Sequence, residues 1–387
     1  MSCTISPVPS ISRIDGSTIE RADLTHHLQD LMDSAQVTGM ALSIINHNEP
    51  IYQRAFGLAN AETGDSLRTD QLFYAASFSK AVFAYLVAQL VEEGQLDLDK
   101  PLQEYLNHPL PEIPFEKDWR GYGDLTDDPR YTQITARMCM NHTTGFPNWR
   151  WMTREFDFDP DGKIRILFEP GARYSYSGEG ISLLQFVVEQ ISGQGLEELA
   201  QERIFLPLNM QMTSYIWQER FEGRYCLGHR ADQSLIPKDR EDEAGAAGSM
   251  ETTLEDYTRF VQHIMQLVQD SSPVTRLMFA PQVRIQSRHQ FGASSWEDTD
   301  AHDDIQLGYG LGWGILQTPH GWGAFKEGHD DGFQHYSIIF PEQHIGIILM
   351  TNSDNGESIF KYVLEKGIGD VYTPWEWERY IPFDAKH

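Results

Sequence analysis

Two stretches of the chain set a serine three residues ahead of a lysine: Ser77-Phe78-Ser79-Lys80 and Ser358-Ile359-Phe360-Lys361. On a helix this spacing brings hydroxyl and amine to one face, where the amine can take the hydroxyl's proton and leave a nucleophilic oxygen. The spacing recurs easily by chance, so the surroundings must decide. Ser77 follows the apolar run Leu72-Phe73-Tyr74-Ala75-Ala76, and Phe83, Leu86, Val87 and Leu90 then repeat at i, i+3, i+4 and i+7 before Gly94. That is a buried helix with a stop signal, and its first turn holds the Ser77 hydroxyl and N–H where a developing oxyanion is stabilised. Ser358 opens the last helical pattern, near the chain end, and reads as a helix cap beside a surface lysine.

One metal motif competes. Asp157, Asp159, Asp161 and Gly162 spell the first half of a calcium loop, but Phe168 stands where the bidentate Glu belongs and Glu169 comes one residue late. With no flanking helix pair, the segment reads as a solvated acidic turn. No metal and no cofactor is expected: the sequence has no His-Glu-x-x-His, Walker or Gly-x-Gly-x-x-Gly pattern, and a Gly-x-Ser-x-Gly nucleophile elbow is absent as well.

The elements that must position Ser77 follow from periodicity. Met40 to Asn46 and Ile51 to Leu58 are apolar runs flanking His47-Asn48-Glu49-Pro50, the pattern of a β-hairpin with a four-residue loop. Helical spacing returns at Ile181, Leu184, Val188 and Ile191, and from Leu254 through Tyr257, Phe260, Val261 and Ile264. Gly308 to Leu316, Tyr336 to Phe340 and Ile345 to Thr351 read as strands, and Ser358 to Lys366 as a helix. Strands near both ends thus enclose a helical middle. The expected architecture is α+β in a single domain: an antiparallel sheet built from both chain ends (17–75 plus 300–370), flanked by helices, with a large inserted helical lobe (76–299) and a cleft where the lobes meet. An aromatic tail, 371–387, carries Trp375, Trp377, Tyr380 and Phe383.

Composition narrows the partners. The 387 residues hold 57 acidic and 30 basic side chains, a formal net charge of −27, with no basic patch in the sequence. Such a surface repels phosphate backbones and anionic lipid heads, so neither nucleic acid nor a membrane is an expected partner. No apolar run approaches the roughly 20 residues that span a bilayer, and the first sixteen residues lack the apolar core of a signal peptide. Cys3, Cys139 and Cys226 are too few and too dispersed for a disulfide framework or a Cys-rich zinc site, which fits reduced thiols in a cytoplasmic protein.

Further landmarks fall in a fixed order. The segment Leu72 to Lys80 resembles the nucleophile segment of the serine β-lactamase and penicillin-binding-protein superfamily, in particular its class C and esterase-like branch. Leu96-Asp97-Leu98-Asp99-Lys100-Pro101-Leu102 is similar to the segment after that family's nucleophile helix. Asn141-His142-Thr143-Thr144-Gly145-Phe146-Pro147 resembles its His-Thr-Ser-Gly-Leu-Pro element. Pro170-Gly171, followed by Tyr176-Ser177-Gly178, resembles Pro-Gly followed by Tyr-Ser-Asn; Gly245 to Asp256 and Gly328-His329 to Asn352 resemble later family motifs. The resemblance covers about residues 25 to 365.

It implies a β-lactamase-like fold and an acyl-enzyme mechanism. Ser77 would attack a carbonyl, Lys80 would accept its proton, and Tyr176 would shuttle a proton to the leaving group, given a nearby cation. His329 best matches the cationic first position of the third motif, and a backbone N–H near Asp331 or Gly332 would complete an oxyanion hole with that of Ser77. Gly178 stands where the family usually has Asn, so the amide that contacts a substrate acylamide is missing. The substrate class is a small ester, amide or lactam cleaved by an esterase-like serine hydrolase. D-amino-acid peptidase, amidase and β-lactamase activities, and a non-catalytic member that only binds a ligand or partner, are the alternatives.

Overall fold

The computed structural model describes residues 10–153, 155 and 157–385. Cys3 and the first nine residues lie outside them. After a two-stranded ribbon, Ile11–Ser12 with Thr18–Ile19, come helix α1 (Arg21–Ala35) and the hairpin β1 (Gly39–Asn46) and β2 (Glu49–Asn60), followed by a short β3 (Asp65–Ser66). The helical middle contains α2 (Phe78–Glu92), α3 (Gly178–Ser192) and α4 (Leu254–Gln269). The sheet resumes with β4 (Val283–Arg284), β5 (Gly308–Tyr309), β6 (Gly314–Thr318), β7 (Gly321–Asp330), β8 (Phe333–Phe340) and β9 (Ile345–Thr351), then α5 (Glu357–Ile368) and the short α6 (Trp375–Glu378).

These strands form one nine-stranded antiparallel sheet in the order β4-β5-β6-β7-β8-β9-β1-β2-β3. Strand β1, from near the start of the chain, pairs with β9 from near its end, Leu42 opposite Leu349. Successive residues of β1 point to opposite faces, and each face is covered. Met40, Leu42 and Ile44 join Leu24 and Leu28 of α1 and Ile359 and Val363 of α5. Ala41 and Ile45 join the apolar faces of α2 and α4. A strand buried on both faces reads as a continuous apolar run, which is how Met40 to Asn46 reads.

Three details differ from the sequence reading. The β1–β2 turn is two residues long: His47 and Asn48 take φ of 50° and 64°, and the strands close at Asn46 opposite Glu49. Left-handed conformations at both turn positions match the twist of the flanking strands, so the turn is tighter than the four-residue loop. The sheet also takes in Val283–Arg284, ahead of residue 300. Strand β7 has no apolar alternation to announce it, because Gly321, Gly323 and Gly328 and a charged end break the pattern. Its glycines answer to packing: a Cβ at Gly328 would stand 3.0 Å from the Ala75 carbonyl oxygen, and one at Gly323 would stand 2.9 Å from the Phe340 ring.

Candidate active site

The nucleophile segment is a bend under tension. Leu72–Tyr74 pairs antiparallel with Glu251–Thr253, and the Ala75 N–H donates to the Met250 carbonyl at 2.8 Å. Ala76 then takes φ of 46°, a left-handed conformation that costs a non-glycine residue about 1–3 kcal/mol, and Ser77 is the N-cap of α2. Ser79 holds the bend, because its Oγ donates to the Ala76 carbonyl at 2.6 Å and accepts the Met250 N–H at 3.1 Å. The result lifts Ser77 out of the packed core as a half-buried side chain at a helix N-terminus.

Lys80, one turn on, is 1% exposed. Its Nζ donates to Ser77 Oγ at 2.9 Å and to the Ala247 carbonyl at 2.5 Å. Burial, and then the charge of Lys326, hold its ammonium well below the ordinary lysine value, with Glu327 pulling the other way. Tyr176 stands opposite. Its ring centre is 5.0 Å from Lys80 Nζ and 5.1 Å from Lys326 Nζ, and its hydroxyl accepts a hydrogen bond from Lys326 at 3.1 Å. Burial and the Glu327 carboxylate push the Tyr176 phenol well up, and Ser77 opposes them as a hydrogen-bonding neighbour. Tyr176 is therefore a neutral phenol at rest despite the cation beside it. His142 packs on its ring at 4.2 Å, with Nδ1 accepting the Ser177 N–H at 3.2 Å; burial and then the two lysines keep that imidazole well below its usual value.

The third motif sits three residues earlier than the sequence suggested. Lys326 of β7 is the cation beside Tyr176, whereas His329 is exposed at the cleft rim with Nδ1 2.7 Å from Glu357, whose carboxylate raises its imidazole value. The N–H groups expected to complete an oxyanion hole are both engaged: that of Asp331 donates to Asp330 Oδ1 at 2.8 Å, and that of Gly332 to Asp354 Oδ1 at 2.5 Å. The exposed Asp331 carboxylate lies 3.8 Å from Arg230.

Gly178 needs a different account as well. A Cβ there would come within 2.9 Å of the Asn148 carbonyl and 3.2 Å of the Trp149 ring. The Gly178 N–H donates to Asn148 Oδ1 at 3.0 Å, so the amide of Asn148 is fixed by its oxygen end and lines the cavity from a neighbouring loop. A side chain is excluded at 178, and an amide is present beside it. The loop is held by the buried pair Arg150–Glu179, with Arg150 Nε and Nη2 at 3.0 and 2.7 Å from the two carboxylate oxygens.

Ser77, Lys80 and Tyr176 thus share one cavity of about 500 Å³ with Asn148, Ala247 and Glu327. Its far wall comes from the carboxyl-terminal tail. Trp377 is buried, its Nε1 donating to Ser287 Oγ at 3.1 Å, and Glu378, Arg379 and Tyr380 line the cavity. Sequence reasoning missed Lys326, Glu327, Asn148, Gln290 and Glu378. Only the Lys326-Glu327-Gly328 triplet offered a signal, as Lys-x-Gly just ahead of His329. Ser358 joins nothing, its Oγ donating to the Asn355 carbonyl at 2.7 Å. Among the described residues, no cluster of His, Cys, Asp or Glu is arranged to hold a metal, no helix is long and apolar enough to cross a membrane, and Cys139 and Cys226 are free and buried.

Comparison with known proteins finds relatives along most of the chain. The chain is 23% identical over 363 residues to penicillin-binding protein 4 of Amycolatopsis lactamdurans, covering 89% of this chain and 90% of that one. It is 27% identical over 237 residues to esterase EstB of Burkholderia gladioli, covering 54% of this chain and 57% of the esterase. Its fold matches the octameric penicillin-binding protein homologue from Pyrococcus abyssi with a TM-score of 0.70 at 21% identity, over 91% of this chain and 78% of that one. The profile of the Beta-lactamase family matches residues 24–365, and the chain belongs to that family of serine hydrolases.

Proposed function

We propose that this cavity cleaves small esters and amides through an acyl-Ser77 intermediate. The observation that carries the reading is the 2.9 Å contact between Lys80 Nζ and Ser77 Oγ, made where burial and Lys326 favour the neutral amine. As Ser77 Oγ attacks the substrate carbonyl, Lys80 accepts its proton. The oxyanion is met by the Ser77 N–H and by that of His329. Strand β6 pairs with β7 only as far as Phe325, and β7 turns into β8 at Asp330 opposite Phe333. In the alternating antiparallel ladder, the residue next to that closing pair turns its N–H away from β8, into the cleft. Tyr176, a phenol held by Lys326, gives its proton to the leaving group and regains one from Lys80. Water then attacks the acyl carbonyl, a proton returns to Ser77 through the same groups, and the acid is released.

Charge separates the substrate classes. Glu327, Glu357, Glu378, Asp330 and Asp331 all line the cavity, an environment that favours neutral or cationic acyl groups over the carboxylate borne by penicillins and cephalosporins. The test is kcat/KM for p-nitrophenyl acetate against a chromogenic cephalosporin. Ready ester cleavage with poor cephalosporin turnover, any β-lactam reaction stalling at the acyl-enzyme, is expected. Efficient cephalosporin turnover would contradict the preference, and no turnover of either with no acylation would leave a ligand-binding member of the family.

A further inference from the structure

The wall facing Ser77 holds buried acceptors with nothing to accept. Glu327 is 4% exposed and Glu378 is 6% exposed. Glu327 uses Oε1 to accept from Lys326 at 2.7 Å and from Gln290 at 3.2 Å, but its Oε2 has no partner. Glu378 Oε1 has none either, and nor do the hydroxyl of Tyr380 and Gln290 Oε1. All four residues line the cavity that contains Ser77. An unsatisfied buried acceptor costs about 1–3 kcal/mol, and a carboxylate more, so four around one cavity amount to a site awaiting a donor.

A group that brings several donors to these acceptors, and a positive charge to two carboxyls, is a primary ammonium. We propose that Glu327 Oε2, Glu378 Oε1 and the Tyr380 hydroxyl form a subsite for an ammonium on the acyl side of the substrate, making acyl groups with a free amine the preferred class. This inference rests on the hydrolase reading above and adds the substrate's charge to it. Burial, and then the neighbouring Glu327, push the Glu378 carboxyl well up, with Lys326 pulling the other way. The wall is also anchored. Trp377 is buried beneath it, and the Gln290 N–H donates to the Trp377 carbonyl at 2.9 Å. Glu378 and Tyr380 lie beyond residue 365, where the family match ends, whereas Glu327 stands on β7 within it.

Alanine methyl ester and N-acetylalanine methyl ester, each in both enantiomers, isolate the effect, because acetylation removes the cation and leaves the scissile ester unchanged. At pH 7 the free-amine ester of at least one enantiomer should show kcat/KM about ten-fold or more above its acetylated partner, since a site built to bind a polar group rejects the analogue lacking it. That ratio should fall toward one in Glu378→Met and fall in part in Glu378→Gln, which keeps the shape but cannot ionise. In support, butylammonium should inhibit p-nitrophenyl acetate hydrolysis competitively and far more strongly than 1-butanol at equal ionic strength. A wild-type ratio at or below one for both enantiomers, or a ratio unchanged in both variants, overturns the subsite. If p-nitrophenyl acetate is cleaved while the ratio stays at one, the subsite falls alone. If the wild type cleaves none of these esters, the hydrolase reading falls and takes the subsite with it.

Discussion

The two Ser-x-x-Lys segments have the same spacing and both stand at the start of a helix, yet they are built for different ends. Lys80 is buried with its Nζ on Ser77 Oγ, between a backbone carbonyl and the ring of Tyr176. Lys361 stays partly exposed, lies 4.6 Å above the Trp375 ring and 3.9 Å from Glu365, and makes no bond to Ser358. Ser358 spends its hydroxyl on Asn355. What separates them is desolvation, which disfavours the charged amine, and a strained bend that presents the serine. The spacing permits a nucleophile, and the environment makes one.

The largest expected effect is at Ser77. Ser77→Ala should reduce ester turnover to background, while Ser358→Ala should leave kcat/KM at the wild-type value. Steady-state rates on p-nitrophenyl acetate check both, and a loss at Ser358 would erase the contrast. Lys80→Ala should cost about 10²- to 10⁴-fold, the usual worth of a positioned base, whereas Lys361→Ala should be silent. Because Lys80 and Tyr176 serve one relay, the Lys80→Ala/Tyr176→Phe double variant should lose much less than the product of the single losses. A fully multiplicative loss would assign them separate tasks.

The environment can be tested through pH. Lys80 must be neutral to act as a base, and its value lies well below the ordinary 10.5. The neutral fraction grows as pH rises, so kcat/KM should climb through that depressed value and level off before the ordinary lysine range. A limb that keeps climbing up to 10.5 would mean that burial does not tune Lys80. The smallest effect concerns the bend. Ser79→Ala removes the partner of the Met250 N–H and should destabilise the fold by about 1–3 kcal/mol, measured by urea denaturation. Little change there would show that the Ala76 conformation is held by other contacts.

How much of this was legible in the sequence depends on what each residue answers to. Ser77, Lys80 and the helix behind them follow a local periodic pattern, and the sheet built from both chain ends follows from apolar runs near each of them. Lys326 was hidden because β7 owes its conformation to its neighbours: its glycines let the strand pass the Ala75 carbonyl and the Phe340 ring, and they break the alternation that marks a strand. Without that strand, the third motif shifts to His329. Gly178 read as a missing amide because sequence order cannot show that Asn148, thirty residues earlier, occupies the space. Glu378 had no local signal. Its importance comes from the packing of Trp377, which carries the tail to the far wall of the cavity.

The most direct test of Ser77 as the nucleophile is intact-mass spectrometry after exposure to a fluorophosphonate, with peptide mapping of the adduct. One adduct per chain, on Ser77, absent in Ser77→Ala and retained in Ser358→Ala, is the expected result. Labelling that persists in Ser77→Ala, or that maps to Ser358, would contradict it.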